Sequence, residues 1–343
     1  IGLANLYRVR FFADAPNTTN LLETFRNNYF TTNDLDRIKA LGYNCIRLPF
    51  FHTILEDDFN PYQYKESGWN RLDWAVNECA KRRLWVILDM HSTPGSQNPY
   101  HSGGFADPFK NRLWKLDEFK DRTAALWVEI AKRYSNSPTV AGYDLFNEPS
   151  PPRSGETPND YRVAFSNYVI PMVTKLHSAI RSNDTRHVLF VENNFMYTNS
   201  WADAFSCPNP ASQGWTNVAY EFHVYDQTVY GQNGTDDWWF TTQKGICDNM
   251  IRTYTGLSDS RQVPVYLGEF SPWDERNTEY WIRQCEANKL HWGHWNFRSW
   301  GWDDTNNPTK GRTIWGLDYR SAETTNAMPD IKTDPLSALA DDM

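Results

Sequence analysis

Short apolar runs recur along the chain, separated by longer stretches in which apolar residues return every three or four positions. The runs are NCIRLPF (44–50), LWVILDM (84–90), TVAGYDLFN (139–147), HVLFVE (187–192), VAYEFHVY (218–225), PVYLGEF (264–270) and LHWGHWNF (290–297). All are rich in β-branched and aromatic residues, the composition of strands buried on both faces. Between them, TNDLDRIKALG, GWNRLDWAVNECAKR and DEFKDRTAALWVEIAKRYS have helical periodicity. The first has Thr32 ahead of an acidic turn and Gly42 just past its last apolar residue, a matched start and stop.

Strands alternating with helices predict parallel pairing through right-handed crossovers. Seven strands, with an eighth expected in residues 1–7 (IGLANLY), predict a (β/α)8 barrel (TIM barrel) in the α/β class. A doubly wound open sheet would need a glycine-rich phosphate turn after its first strand, and the sequence has none. No repeat, low-complexity linker or composition break interrupts the chain. Residues 1–343 are therefore expected to form one domain, with 321–343 as a loose C-terminal helix or tail.

Composition narrows the function. The net charge of −8 and the lack of a basic run disfavour a nucleic-acid partner. No apolar stretch approaches the roughly 20 residues needed to cross a bilayer. The chain opens without a basic n-region and apolar h-region, and the expectation is a secreted monomer whose leader has been removed. Five cysteines, Cys45, Cys79, Cys207, Cys247 and Cys285, form no CxxC or metal-finger spacing, and Cys207 with Cys247 is a candidate bridge. Asn17, Asn183 and Asn233 each head an N-x-T sequon. Sixteen tryptophans are too many to bury entirely, so aromatic surface is expected.

The polar residues at the strand ends carry the chemistry. In a barrel, residues at the C-terminal ends of different strands converge on one mouth. Arg47 sits in the 44–50 run, Asp89 and His91 end the 84–90 run, and Asn147 with Glu148 closes the 139–147 run before Pro149. His223 and Tyr225 share a parity, Glu269 nearly ends the 264–270 run, and Trp295 lies in the last. Each has a bland alternative as a surface ion pair, a core histidine or a helix N-terminal charge. Their recurrence at one end of six strands does not.

Two carboxylates at facing strand ends suit hydrolysis of a glycosidic bond. One gives a proton to the leaving oxygen and the other attacks the anomeric carbon; about 5–5.5 Å between them leads to retention and about 6.5–9.5 Å to inversion. Arg47 and Tyr225 are placed to keep Glu269 ionised, and Glu148 beside a neutral amide is suited to hold its proton.

NCIRLP, LDMH, LFNEP, HVY and GEFS, in this order from about Thr32 to Asp303, resemble glycoside hydrolase family 5 of the retaining barrel clan. The resemblance implies Glu148 as acid/base, Glu269 as nucleophile and Asn147 at the sugar 2-hydroxyl. It implies Arg47 and Tyr225 as supports for the nucleophile, His91 and His223 lining the site, and Trp295 beneath the sugar at the cleavage point. No metal and no cofactor is implied. The chain departs from the family pattern at its N-terminus, where a clear glycine- and asparagine-bearing first strand is usual.

Trp201, Trp238, Trp239, Trp273, Trp300 and Trp302 follow the later strands, where a sugar groove is expected, and aromatic rings offer a flat apolar surface to pyranose C–H faces. This favours a β-linked glucan or mannan chain as substrate. The loop STPGSQNPYHSGG (92–104) resembles that of fungal-type exo-β-1,3-glucanases, while the other loops do not follow that subgroup. Endo-β-1,4 cleavage of cellulose-like chains is expected first, β-1,3 second and mannan third. Two further classes fit the sequence less well. A metal-dependent barrel hydrolase built on His91, His223, His291 and His294 lacks an HxH at the first strand and an HExxH. The Asp303, Asp304, Asn306 run lacks EF-hand spacing. A non-catalytic carbohydrate-binding barrel is expected to have lost one of the two glutamates, and both are present.

Overall fold

The computed structural model describes residues 27–100, 103, 111–193, 207–225, 236–270, 275–295 and 297. The chain divides into two compact units, Lys39–His294 and, in the other, Ile1–Ile38 with Trp295–Met343. In the second unit Phe30 meets Phe297 edge-on at 6.5 Å, and Asp34 accepts from the Thr31 N–H at 2.7 Å, closing the start of helix α1 (Thr32–Ala40). Gly42 follows with φ +92°, the left-handed stop that the sequence predicted.

Seven parallel strands make up the main sheet of the larger unit. They are β1 (Cys45–Phe51), β4 (Trp85–Ser92), β5 (Val140–Asp144), β6 (Val188–Glu192), β7 (Val218–Val224), β8 (Val265–Phe270) and β9 (His291–His294), hydrogen-bonded in chain order. Helices α2 (Glu66–Lys81), α3 (Asp117–Tyr134), α4 (Pro158–Ala164), α5 (Ile170–Arg181), α6 (Asp236–Arg261) and α7 (Glu275–Ala287) fill the crossovers. A separate antiparallel pair, β2 (Glu56–Asp57) with β3 (Asn60–Tyr64), follows β1.

The sheet closes on itself. Neighbouring strands lie about 4.8 Å apart, so β1 and β8, five steps apart in the order, would stand about 24 Å apart in a flat sheet. Arg47 of β1 nevertheless reaches Glu269 of β8 at 2.7 Å. Only a sheet curled into a barrel allows this, and the fold is a (β/α)8 barrel. The expected strand at residues 1–7 and the expected tail at 321–343 lie outside the described residues.

The barrel interior is layered. Ile87, Phe190, Ala219 and Tyr266 pack into an apolar cluster, joined by Cys45, Ala141 and Val188. Side chains two residues apart on a strand share a face. Thus Arg47 follows Cys45, Asp89 follows Ile87, Glu192 follows Phe190 and Glu221 follows Ala219, and these residues form a charged layer nearer the C-terminal mouth. At β8 the same step falls on Gly268, where any Cβ would overlap Glu221 Oε1. The glycine of LGEF is there to admit that carboxylate.

The expected elements differ from the observed ones at three edges. The strand predicted over 139–147 stops at Asp144, so Asn147 and Glu148 sit on irregular backbone beyond it. Tyr225 lies one residue past β7 and Trp295 one past β9. Cys207 and Cys247 form no disulfide, and all five cysteines are free thiols.

Candidate active site

Arg47 organises the site. It is almost wholly buried and points from β1 along the barrel axis into carboxylates from five other strands. Its Nε donates to Asp144 Oδ2 at 2.8 Å, one terminal nitrogen to Glu269 Oε1 at 2.7 Å, and the other to Asn147 Oδ1 at 2.8 Å and Glu192 Oε1 at 3.0 Å. Asp89 Oδ2 lies 3.2 Å and Glu221 Oε1 3.0 Å from the same guanidinium. Tyr225 donates its hydroxyl to the other oxygen of Glu269 at 2.8 Å. Glu269 is thus held from both sides by donors, as the strand ends predicted.

Glu148 stands opposite. Its Oε1 lies 2.9 Å from His223 Nδ1, and that nitrogen is 3.6 Å from Glu269 Oε2. One oxygen of Glu148, one of Glu269 and a ring nitrogen of His223 all lie within 4.8 Å of one another. His91 places Nδ1 2.7 Å from Asp89 Oδ2 and stacks on Phe51 with ring centroids 6.3 Å apart. Burial pushes both His91 and His223 down to about 4, despite the pull of Glu269 in the opposite direction, so both rings are neutral near pH 7.

Glu148 has φ +44°, a left-handed conformation that costs a side-chain-bearing residue of order 1–3 kcal/mol and persists only where its surroundings fix it. The surroundings do so here. Asn98 Nδ2 donates to the Glu148 carbonyl at 2.7 Å, Gln97 Nε2 to the Asn147 carbonyl at 2.7 Å and Asn111 Nδ2 to the Ser150 carbonyl at 2.8 Å. Ser150 N–H returns a bond to the Gln97 carbonyl at 3.0 Å, and Trp114 Nε1 donates to that same carbonyl at 2.8 Å. The SQN stretch of the 92–104 loop, read from sequence as a clue to linkage, is a buried brace under the NEP turn.

Sequence reasoning missed these braces and three of the buried acids, Asp144, Glu192 and Glu221. The acids were hidden inside apolar runs, but their parity was legible: each lies on the inward face of its strand, two residues beyond a core position. Burial raises Asp89 to about 7 and Asp144 to about 6 against the pull of Arg47, and it raises Glu192 and Glu221 well above the usual carboxylate range. Five acids facing one cation, in a water-poor interior, cannot all be ionised cheaply.

The remaining predicted residues divide. Trp295 is described but lies in the other unit. Trp238 is on helix α6 and 42% exposed, not in a loop; Trp201, Trp273, Trp300, Trp302 and the side chain of Trp239 lie outside the described residues, as do Asp303, Asp304, Asn306, Asn17 and Asn233. Asn183 is half-buried just beyond α5, with its amide donating to the Ala179 carbonyl at 3.3 Å. Of the four histidines weighed as a metal set, His291 is exposed and His294 packs edge-on against Phe270, away from the cluster. Among the described residues, Glu148, His223 and Glu269, and separately Glu192, Glu221 and His223, are spaced to bind a cation. The Arg47 guanidinium already contacts Glu192, Glu221 and Glu269, and a dication there would face it at close range.

A parallel barrel with paired carboxylates at the C-terminal mouth is the architecture of a barrel hydrolase. Residues 13–301 match the family described as Cellulase (glycosyl hydrolase family 5), and the chain belongs to it. It is 32% identical over 254 residues to a beta-xylosidase from Phanerodontia chrysosporium, covering 73% of this chain and 49% of that one. It is 27% identical over 266 residues to endoglucanase C from Acetivibrio thermocellus, covering 77% of this chain and 66% of the relative. The chain therefore spans half to two thirds of the length of these relatives. Its fold is similar to that of endo-glycoceramidase II from Rhodococcus sp. in a cellobiose-like imidazole complex, with a TM-score of 0.60 at 19% identity over 78% of this chain and 68% of that one.

Proposed function

We propose that the protein is a retaining glycoside hydrolase that cleaves β-linked glucan by double displacement, with Glu269 as nucleophile and Glu148 as acid/base. The observation that carries this is the spacing of the two carboxylates, whose nearest oxygens lie within 4.8 Å, on the short side of the boundary between retention and inversion. A Glu269 oxygen bonds to the anomeric carbon as the glycosidic C–O bond breaks, and Glu148 gives its proton to the departing oxygen. Water then attacks the glycosyl-enzyme while Glu148 takes up a proton, which frees Glu269 and restores the starting state.

The donors around Glu269 fit a group that must stay ionised to attack. Arg47 and Tyr225 each hold one of its oxygens. Arg47 also holds Oδ1 of Asn147, and the amide of Asn147 is assigned to the sugar 2-hydroxyl. Neutral His223 and His91 line the site. The family match runs over residues 13–301, which supports one catalytic domain. Among the described residues no helix is long and apolar enough to cross a membrane. A polymeric substrate too large to enter a cell supports secretion.

Endo-β-1,4 cleavage ranks first on the likeness to an endoglucanase. The 32% identity to a beta-xylosidase favours a second reading, in which xylose replaces glucose at the cleavage point. Product analysis on carboxymethyl cellulose, barley β-glucan, laminarin, mannan and an aryl β-xyloside separates these. Mixed oligosaccharides from the cellulose-type substrates are expected; glucose alone from laminarin moves the assignment to exo-β-1,3 action, and turnover of the xyloside alone to the second reading. Glu269→Ala is expected to abolish turnover, with azide or formate restoring part of it and giving inverted product. Glu148→Ala is expected to keep activity only where the leaving group needs no proton. Near-normal polysaccharide hydrolysis by both variants would overturn the proposal.

A further inference from the structure

Glu192 makes no contact that its strand requires, yet both of its oxygens are committed. It ends β6, is almost wholly buried, and accepts from the backbone N–H of Glu148 at 2.5 Å through Oε2. Through Oε1 it accepts from Arg47 at 3.0 Å, and the same oxygen lies 3.5 Å from His223 Nε2. Each of these three groups touches a carboxylate of the proposed pair. The Glu148 N–H belongs to the acid/base itself, Arg47 donates to Glu269 at 2.7 Å, and His223 lies 2.9 Å from the Glu148 side chain.

We infer that Glu192 is a positioning residue that sets the acid/base and the nucleophile in register, by clamping the left-handed Glu148 backbone with one oxygen and Arg47 with the other. The inference rests on the assignment of Glu148 and Glu269 above. A left-handed residue that is not glycine needs its peptide groups held on both sides. Asn98 takes the carbonyl side and Glu192 the N–H side. Ionised, Glu192 offers two acceptors to two donors arriving from different elements, and the Arg47 charge favours that form against the opposing effect of burial. A glutamine of the same shape has one acceptor and one donor, so its amide nitrogen must confront either the Glu148 N–H or the Arg47 guanidinium. The charged and titratable groups facing Glu192 are Arg47 from β1, Asp89 from β4, Asp144 from β5, Glu221 and His223 from β7, and Glu148 beyond β5. Arg47 is the one permanent cation in that set.

The test compares Glu192→Gln and Glu192→Asp with Glu148→Ala on 2,4-dinitrophenyl and phenyl β-cellobioside, or on the corresponding xylosides should the wild type prefer xylose. A proton donor displaced by about 1 Å costs on the order of a hundredfold. Glu192→Gln is therefore expected to lower kcat on the phenyl glycoside about 10- to 100-fold with KM little changed, and to slow the dinitrophenyl glycoside at least tenfold less. Glu192→Asp keeps the carboxyl group but is one methylene too short to span both donors. It is expected to show the same leaving-group dependence in weaker form, and it carries the test should the glutamine variant fail to fold. Equal slowing of both substrates, or none, overturns the inference. If Glu148→Ala turns over the phenyl glycoside at a near-normal rate, the acid/base assignment falls and this inference with it. If Glu148→Ala collapses on that substrate and neither Glu192 variant does, only the role of Glu192 is lost.

Discussion

Glu269 is held by two donors of different kinds, a permanent cation and a phenol. Burial and the neighbouring Glu269 and Glu148 charges push the Tyr225 hydroxyl well above its ordinary value, so it remains a donor at any working pH. Tyr225→Phe removes one charge-assisted hydrogen bond, worth about 1.5–3 kcal/mol, and leaves Arg47 in place. The expected outcome is a kcat about 10- to 100-fold lower with KM little changed, read from steady-state kinetics at saturating glucan. An unchanged kcat would show that the Tyr225 hydrogen bond to Glu269 does not matter for turnover. At this scale the sequence was a good guide. Arg47, His91, Asn147, Glu148, His223, Tyr225 and Glu269 all come to the cluster, because strand-end position and inward parity are local properties that a single chain displays. Glu192 and Glu221 share that parity, but they sit in runs that also read as core, and nothing local says that an interior glutamate faces an arginine from another strand.

Among the elements, the loop between β4 and α3 does more than its composition suggests. Gln97, Asn98 and Asn111 are buried amides, each spent on a backbone carbonyl of residues 147–150. Asn98→Ala leaves the Glu148 carbonyl without that donor. A loss of about 1–3 kcal/mol in stability is expected by chemical denaturation, together with a fall in kcat larger than the stability loss explains. If stability drops and kcat does not, the loop is a scaffold without catalytic consequence. The seven strands and three of the helices were legible as runs and periods. The β2–β3 hairpin was not, since NPYQY is polar and carries a proline. What fixes it is long-range: buried Arg122 of α3 reaches Glu56 at 3.3 Å and Asp58 at 3.0 Å, and buried His52 lies 3.1 Å from Asp58. Ion pairs between residues more than 60 positions apart leave no periodic trace.

Across the whole barrel, the interior holds more acid than base. Asp89 and Asp144 are raised from 3.8 to about 7 and about 6, and burial and the Asp144 charge raise Glu192 and Glu221 well above their ordinary value. A carboxyl whose folded pKa lies above its unfolded value stabilises the fold fully below the unfolded value, and that stability is lost as pH rises through the folded value. His91 and His223, lowered to about 4, act in the opposite sense, adding stability as pH rises from about 4 to 6.5. The two slopes oppose each other in mild acid, and above about pH 7 only the acids act. Glu221→Gln is therefore expected to raise the melting temperature at pH 8 and to do so much less at pH 5, where burial more strongly favours the protonated form of Glu221. Calorimetry at the two pH values checks this, and a larger gain at pH 5 would refute the charge argument. Barrel closure was implied by the strand count. The charge imbalance inside it was not, because it arises only once six strands bring their side chains to one axis.

The left-handed backbone at Glu148 has a consequence for the history of such a gene. Most substitutions that disable an enzyme also weaken its fold, so inactive copies tend to be lost. Glycine at position 148 is an exception, since it removes the proposed proton donor and relieves a conformation that only glycine adopts at no cost. A duplicate released from selection for turnover thus has a one-step route to a sturdier, catalytically silent barrel with its charged core intact.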